Sequence, residues 1–223
     1  MNHTPASHES RSFFLPGPAG RLEAILWKPH SVETPPLAAV VCHPHPLFGG
    51  TLHNKVVYQV AKSLDALGVP VLRFNFRGAG LSEGTHDRGR GEQGDVQAAL
   101  DFMAGEYPGV ALVMAGFSFG CWVGLRVGCA DARVTEVIGL GTPVNNSDFS
   151  YLHACAKPKL FVHGSNDEHG DVRMLRALVA SLAGEKHVEI VAGADHFFVG
   201  KLDQVDRAIR NWLGQRHSEL RAI

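Results

Sequence analysis

From Leu37 onward, short unbroken apolar runs alternate with segments whose apolar positions recur every three or four residues. The runs cover residues 38–42, 69–76, 110–117, 134–140, 159–162 and 188–191. A strand with one wet face must alternate apolar and polar side chains. A strand covered by helices on both faces need not, so continuous runs mark buried parallel strands. Between them, Val56, Val60, Leu64 and Leu67 share one helical face before Gly68, which suits a C-terminal cap. Val96, Ala99, Leu100 and Met103 do the same after Asp95, whose charge suits a first turn. Upstream, residues 12–15 and 22–27 flank the turn-rich stretch 16–20 and read as an antiparallel hairpin. The pattern predicts an α/β fold of about eight strands, mostly parallel, with helices on both faces and the hairpin as an antiparallel edge.

A chain of 223 residues suits one such domain. The expected division is a polar N-terminal tail over residues 1–10, the domain over 11–216 and a C-terminal tail over 217–223. Lysine and arginine number 21 against 22 acidic residues, a formal net charge of −1, so no basic excess exists to neutralise phosphates. Nucleic acid is therefore not an expected partner. No stretch approaches the ~18 apolar residues of a membrane span, and no membrane partner is expected. The segment Met1 to Ser10 lacks the charged start and apolar stretch of a secretory signal. Cys42, Cys121, Cys129 and Cys155 form no CxxC pair and lie in or beside apolar segments, which points to reduced thiols and a cytoplasmic location.

The chemistry concentrates where one strand ends. Residues 111–117 form a buried strand that runs into Gly116-Phe117-Ser118-Phe119-Gly120, a G-x-S-x-G sequence. A nucleophilic serine needs a sharp strand-to-helix turn that exposes its hydroxyl at the sheet edge, with small residues two before and two after. The same turn presents the Phe119 N–H at a helix start, where it can donate to an oxyanion. Gly120, Gly124 and Gly128 fall on one helical face. Each costs roughly 1 kcal/mol against alanine in a helix, so close approach to the central strands is the expected offset. A serine of this kind requires an acid and then a histidine further along. Asp167 follows the strand at 159–162, with Glu168 and Asp171 as alternatives, and His196 follows the strand at 188–191. All three stand at carboxyl ends of strands, where open α/β sheets gather their sites.

These segments resemble the α/β-hydrolase superfamily over residues 13–214. They are closest to small, lidless, dienelactone-hydrolase-like or esterase-like bacterial serine hydrolases. The resemblance is carried by the HPHPxxGG loop His43-Pro44-His45-Pro46-Leu47-Phe48-Gly49-Gly50, by residues 54–57, 74–84 and 89–95, and by the three segments above. It implies that the loop after the third strand supplies a second oxyanion donor. Pro44 and Pro46 have no N–H, which leaves the amide of His45, with Leu47 as the alternative.

Other motifs carry less. Gly89-Arg90-Gly91-Glu92-Gln93-Gly94 is a literal G-x-G-x-x-G but follows a polar loop rather than a strand, so no cofactor is expected there. Gly78-Ala79-Gly80 follows a strand, but Glu83 stands where the third glycine is needed. His43 and His45, with His163, His169 or Asp167, invite a metal reading. Two prolines in the His-x-His stretch argue for a fixed turn instead, and no metal is expected. Asn75 and Arg77 are expected to tie loops together. Phe48, Phe117, Phe149, Tyr151 and Phe197 flank the candidate site and are expected to line an acyl pocket, with ordinary core packing as the alternative for each. Residues 141–158 leave no room for a sizeable cap, so the site should be open, or roofed by short loops or the partner of a homodimer. The expected activity is cleavage of a small carboxylic ester or thioester through an acyl-enzyme on Ser118, with Asp167 and His196 completing the triad. A peptidase or amidase with the same triad, or a binding protein that no longer turns over, are the alternatives.

Overall fold

The computed structural model describes residues 8–30 and 34–221. The expected tails at residues 1–7 and 222–223, and the signal reading over the first seven residues, lie outside the described residues. Among these described residues eight strands form one sheet: β1 (His8–Gly17), β2 (Gly20–Pro29), β3 (Leu37–Cys42), β4 (Val71–Phe74), β5 (Ala111–Phe117), β6 (Val134–Leu140), β7 (Lys159–Gly164) and β8 (Lys186–Val191). Their order is β1-β2-β4-β3-β5-β6-β7-β8. β1 pairs antiparallel with β2, and β2 antiparallel with β4; the remaining neighbours are parallel. Among the described residues five α-helices cover the sheet: α1 (Lys55–Asp65), α2 (Gly91–Glu106), α3 (Phe119–Ala130), α4 (Val172–Ser181) and α5 (Leu202–Arg216).

The unbroken apolar runs have the expected cause. In β3, Ala38, Val40 and Cys42 join the core under α2, α3 and α4, while Ala39 and Val41 join the core under α1 and α5. In β5, Leu112 and Met114 take the first side, and Val113, Ala115 and Phe117 the second. Side chains alternate across a strand, so two covered faces require every residue to be apolar. The first hairpin is longer than its apolar residues suggest. β1 begins at His8, inside the stretch expected as a polar tail, because the His8 ring stacks on Trp27 at 4.2 Å and its Nδ1 lies 3.0 Å from Asp65 Oδ2. At the other end, Ser218–Arg221 forms a 3-10 turn that buries Leu220.

One helix start differs from expectation. α2 begins at Gly91, so Asp95 lies a turn further in, and its carboxylate is buried against Arg77. The acid of the first turn is Glu92, itself fully buried.

Helix α3 lies against the centre of the sheet through its glycines. A Cβ on Gly120 would run into the carbonyls of Cys42 and His43, and one on Gly128 would come 2.7 Å from Met114 Cβ. At Gly124 the nearest atoms are the sulfurs of Cys42 and Met114, at 3.1 and 3.2 Å. Gly120 and Gly128 are thus placed where a Cβ does not fit without a shift, and at Gly124 the two sulfurs would have to give by a few tenths of an ångström. Next to them, buried His43 ties the ends of β3 and β4. Its Nδ1–H donates to the Pro44 carbonyl at 2.6 Å, and its Nε2 accepts the Phe76 N–H at 2.9 Å. Burial pushes this imidazole down to about 3, against the opposing effect of the Pro44 hydrogen bond.

Two consequences can be measured. Gly120→Ala should lower stability by about 1–3 kcal/mol through overpacking. Gly105→Ala, on the exposed side of α2 with nothing within 4 Å of its Cβ, should raise it by about 0.5–1 kcal/mol. Urea midpoints compare the two. For His43, the unfolded chain takes up a proton below about 6.5 while the folded chain refuses it down to about 3. Its contribution to stability should therefore fall as pH drops through that window. His43→Gln, whose amide oxygen can accept the Phe76 N–H, should show a flatter decline in unfolding free energy than the wild type between pH 6.5 and 4.

Candidate active site

Ser118 stands between β5 and α3 with φ 55° and ψ −118°. A positive φ in a residue with a Cβ costs of order 1–3 kcal/mol and persists only where surrounding contacts over-determine it. Here the Ser118 N–H donates to the Leu140 carbonyl at 2.9 Å, and its own carbonyl accepts the Trp122 N–H at 3.1 Å. Glycine is required on both sides, because a Cβ on Gly116 would strike the Gly120 carbonyl and one on Gly120 would strike β3. The turn leaves the Phe119 N–H at the start of α3, with no protein acceptor among the described residues.

The other two residues come from the loops after β7 and β8. His196 Nε2 lies 3.0 Å from Ser118 Oγ, and its Nδ1–H reaches Asp167 Oδ1 and Oδ2 at 2.9 and 2.8 Å. This arrangement assigns the proton to Nδ1 and leaves Nε2 as the acceptor toward the hydroxyl. Asp167 Oδ1 also accepts the N–H groups of His169 and Gly170, at 2.8 and 3.2 Å. Burial, the largest single influence, raises the Asp167 pKa, but the hydrogen bond and charge of His196, the charge of His163 and the His169 N–H together hold the carboxyl below its usual range. The alternatives for the acid go elsewhere. Asp171 caps α4 by accepting the N–H groups of Arg173 and Met174, and the Glu168 carboxylate faces His169 at 3.7 Å.

Residues that drew less notice in the sequence hold these loops. His163, four residues before Asp167, is fully buried; its Nε2–H donates to the Gly170 carbonyl at 2.7 Å and its Nδ1 accepts the Thr142 N–H at 3.2 Å. It thereby pins the acid loop to the end of β6. Gly141, with φ 50°, sits where a Cβ would come 3.1 Å from the His196 ring and 2.7 Å from that of Phe117. The signal for both lay in their position directly at strand ends, the same signal that marked Asp167 and His196.

On the other side, the loop after β3 turns through the short 3-10 segment Pro46–Phe48. The His45 carbonyl accepts the N–H groups of Phe48 and Gly50, each at 3.1 Å, and the His45 N–H has no protein acceptor among the described residues. The Leu47 N–H donates to His45 Nδ1 at 3.3 Å on an exposed turn. Asn75 and Arg77 do tie loops. Asn75 accepts the Leu52 N–H at 2.7 Å and donates to Glu23 at 2.6 Å, and Arg77 holds Asp95 in a paired contact at 2.7–3.1 Å.

The five aromatic residues separate. Phe117 is buried with its ring 4.9 Å from that of His196, and half-exposed Phe197 lies 5.2 Å from the same ring. Phe48 is 87% exposed beside His45. Phe149 is buried in the core under α2, α3 and α4, and Tyr151 donates to the Trp122 carbonyl at 2.9 Å under the Arg126 guanidinium. These last two make no ring contact with His196; they build the support of α3. Among the described residues, no group of three or more His, Cys, Asp or Glu side chains converges as a metal site, and both nitrogens of His43 are already engaged. No helix among them is long and apolar enough to cross a membrane.

The chain resembles solved structures over nearly its whole length. It is 35% identical to an alpha-beta serine hydrolase homologue from Coxiella burnetii, with a TM-score of 0.86, covering 91% of this chain and 97% of that one. It is 34% identical to XC6422 from Xanthomonas campestris, described as an a/b serine hydrolase without lid, with a TM-score of 0.84 and coverage of 92% and 95%. A relative of uncharacterized function, RP471 of Rickettsia prowazekii (strain Madrid E), is 37% identical over 209 residues, 90% of this chain and 87% of that protein. Residues 41–213, which include Ser118, Asp167 and His196, match the family described as the alpha/beta hydrolase domain. With an eight-stranded sheet in this order and no large cap, the chain belongs to the α/β-hydrolase family.

Proposed function

We propose that this chain is a serine hydrolase that cleaves small carboxylic esters or thioesters through an acyl-enzyme on Ser118. The observation that carries this reading is the unbroken hydrogen-bonded line from Asp167 through His196 to the Ser118 hydroxyl, all within 3.0 Å. His196 Nε2 removes the hydroxyl proton as Oγ attacks the acyl carbon. Asp167 keeps the imidazole in the required tautomer and stabilises the imidazolium that forms. The developing oxyanion is taken up by the amides of Phe119 and His45, two donors without a protein acceptor among the described residues. Leu47 ranks below His45 because its amide is already directed at the His45 ring. Protonated His196 then releases the alcohol or thiol, and returns as base to a water that cleaves the acyl-enzyme.

The substrate class follows from what surrounds these atoms. Residues 141–158 contain only the short 3-10 segment Ser150–Ala154, so among the described residues no large cap roofs the site. Phe117 and Phe197 beside His196, with Phe48 beside His45, offer a small apolar wall open to solvent. Such a site suits compact acyl groups delivered from water. A cytoplasmic setting fits the four cysteines, all present as free thiols.

Turnover of a ladder of p-nitrophenyl esters, from acetate to long acyl chains, with a matched anilide, tests this reading. Short esters should be preferred and the anilide nearly inert. Ser118→Ala should lose at least about 10³-fold in kcat while remaining folded, and Asp167→Asn about 10⁴-fold. A preference for long chains would overturn the substrate class, and equal turnover of the anilide would favour an amidase. Binding without turnover would favour the non-hydrolytic alternative.

A further inference from the structure

We propose that Cys129 and Cys155 form a dithiol site that a hydroperoxide oxidises reversibly to a disulfide. The inference stands apart from the chemistry at Ser118 and concerns the far end of α3.

The two residues come from separate elements that are laced together on both sides of Cys155. Cys129 lies in the last turn of α3, and Cys155 is the residue at which the 3-10 segment Ser150–Ala154 ends. Before it, the Tyr151 hydroxyl donates to the Trp122 carbonyl at 2.9 Å. After it, Lys157 Nζ donates to the Gly128 carbonyl at 2.6 Å and to the Asp131 carbonyl, and these two carbonyls flank Cys129. The segment is thus fixed along α3 from Trp122 to Asp131, and the two thiols meet side chain to side chain.

A buried cation sits beside them. Lys159 is fully buried, and its Nζ donates to the carbonyls of Cys155, Lys157 and Ala183, the last two at 2.7 and 3.2 Å. Carbonyls only accept, so three of them require three N–H bonds, and the group is an ammonium. Among the described residues no carboxylate is ion-paired with it; its hydrogen bonds all go to backbone. A buried ammonium is costly unless an opposite charge accompanies it, and the cysteine pair is placed to supply one. The hydrogen bond from the Cys129 thiol, then the Lys157 N–H and the charges of Lys159 and Lys157, bring the Cys155 thiol down to about 6 against the effect of burial. Contact with Cys155, together with burial, pushes the Cys129 thiol up. At neutral pH the pair therefore holds one proton, as a Cys155 thiolate beside a Cys129 thiol. Cys42 and Cys121 lack this setting: both are fully buried, and burial pushes both thiols up, Cys121 to about 12.

A thiolate with a thiol against it is what a two-step oxidation needs. Hydrogen peroxide, little larger than water, reaches the pair from Cys129, which is partly exposed. The Cys155 sulfur attacks one peroxide oxygen, the O–O bond breaks, and the hydroxide released takes the Cys129 proton to leave as water. The Cys129 thiolate then attacks the sulfenic sulfur. The S–S bond forms as the S–O bond breaks, and the second hydroxide takes a proton from solvent. Two electrons pass from the two sulfurs to the peroxide, which ends as two waters. A thiol reductant reverses the product by exchange.

The test exposes the folded full chain to a few equivalents of hydrogen peroxide, alkylates the remaining thiols with N-ethylmaleimide in denaturant, and maps the tryptic peptides. The wild type should lose two of its four alkylation sites. Peptides 127–133 and 134–159, which carry Cys129 and Cys155, should be joined by a bond that dithiothreitol releases. Cys42 and Cys121 should be alkylated in full. Cys129→Ser should stop at a sulfenic acid on Cys155 that dimedone captures, and Cys155→Ser should leave Cys129 open to alkylation. Four alkylation sites retained after peroxide overturn the proposal. So does thiol loss spread evenly over all four cysteines, or a cross-link that forms only when peroxide is added in denaturant. If either variant fails to fold, the wild-type peptide map decides by itself.

Discussion

Ser118 is held at a backbone conformation that a residue with a side chain resists, and the rest of the carboxyl edge is arranged around that strain. The constraint is carried by close contact rather than by any single bond. α3 can start immediately after Ser118 only because Gly116 and Gly120 let the chain fold back on β5 and β3. Gly124 and Gly128 continue that contact along the helix, so the axis of α3, and with it the Phe119 amide, is set by the central strands. The cost of three glycines in one helix is of order 3 kcal/mol. What offsets it is the burial of a whole helix face against Cys42, Met114 and Val134.

The parallel topology does the remaining alignment. β5, β6, β7 and β8 lie side by side in chain order, so the loops that follow them emerge at one edge. Ser118, Asp167 and His196 come from β5, β7 and β8, and the intervening β6 contributes Gly141, which makes room for the His196 ring. His163 then locks the Asp167 loop to the residue after Gly141. Each group with a chemical role is therefore backed by another whose role is to hold it, and the holding residues are more deeply buried than the serine.

Much of this was legible in the residues themselves, for reasons that can be named. β3 and β5 announce themselves because burial on both faces leaves no polar position, β6 and β7 through apolar runs that hold only Thr135, Glu136, Lys159 and His163 as polar residues, and G-x-S-x-G in its strand-to-helix setting leaves one elbow. Boundaries set by distant partners were not legible. The start of β1 is polar in sequence and becomes strand through Trp27 and Asp65. The start of α2 reads as loop, since Gly91 and Gly94 are poor helix formers, yet Glu92 and Asp95 satisfy the preceding loop from within the helix. Phe149 and Tyr151 are near the site's loops in sequence but turn into the support of α3, because the Trp122 carbonyl and the Arg126 guanidinium offer partners there. The pairing of Cys129 with Cys155 gave no signal, as it joins residues that only the folded chain brings together.

The central claim is that Ser118 is an activated nucleophile, and intact-mass measurement after exposure to a fluorophosphonate tests it without knowledge of the substrate. The account predicts a single adduct on the wild type, none on Ser118→Ala and slower labelling of His196→Ala. A folded wild type that remains unlabelled would contradict it.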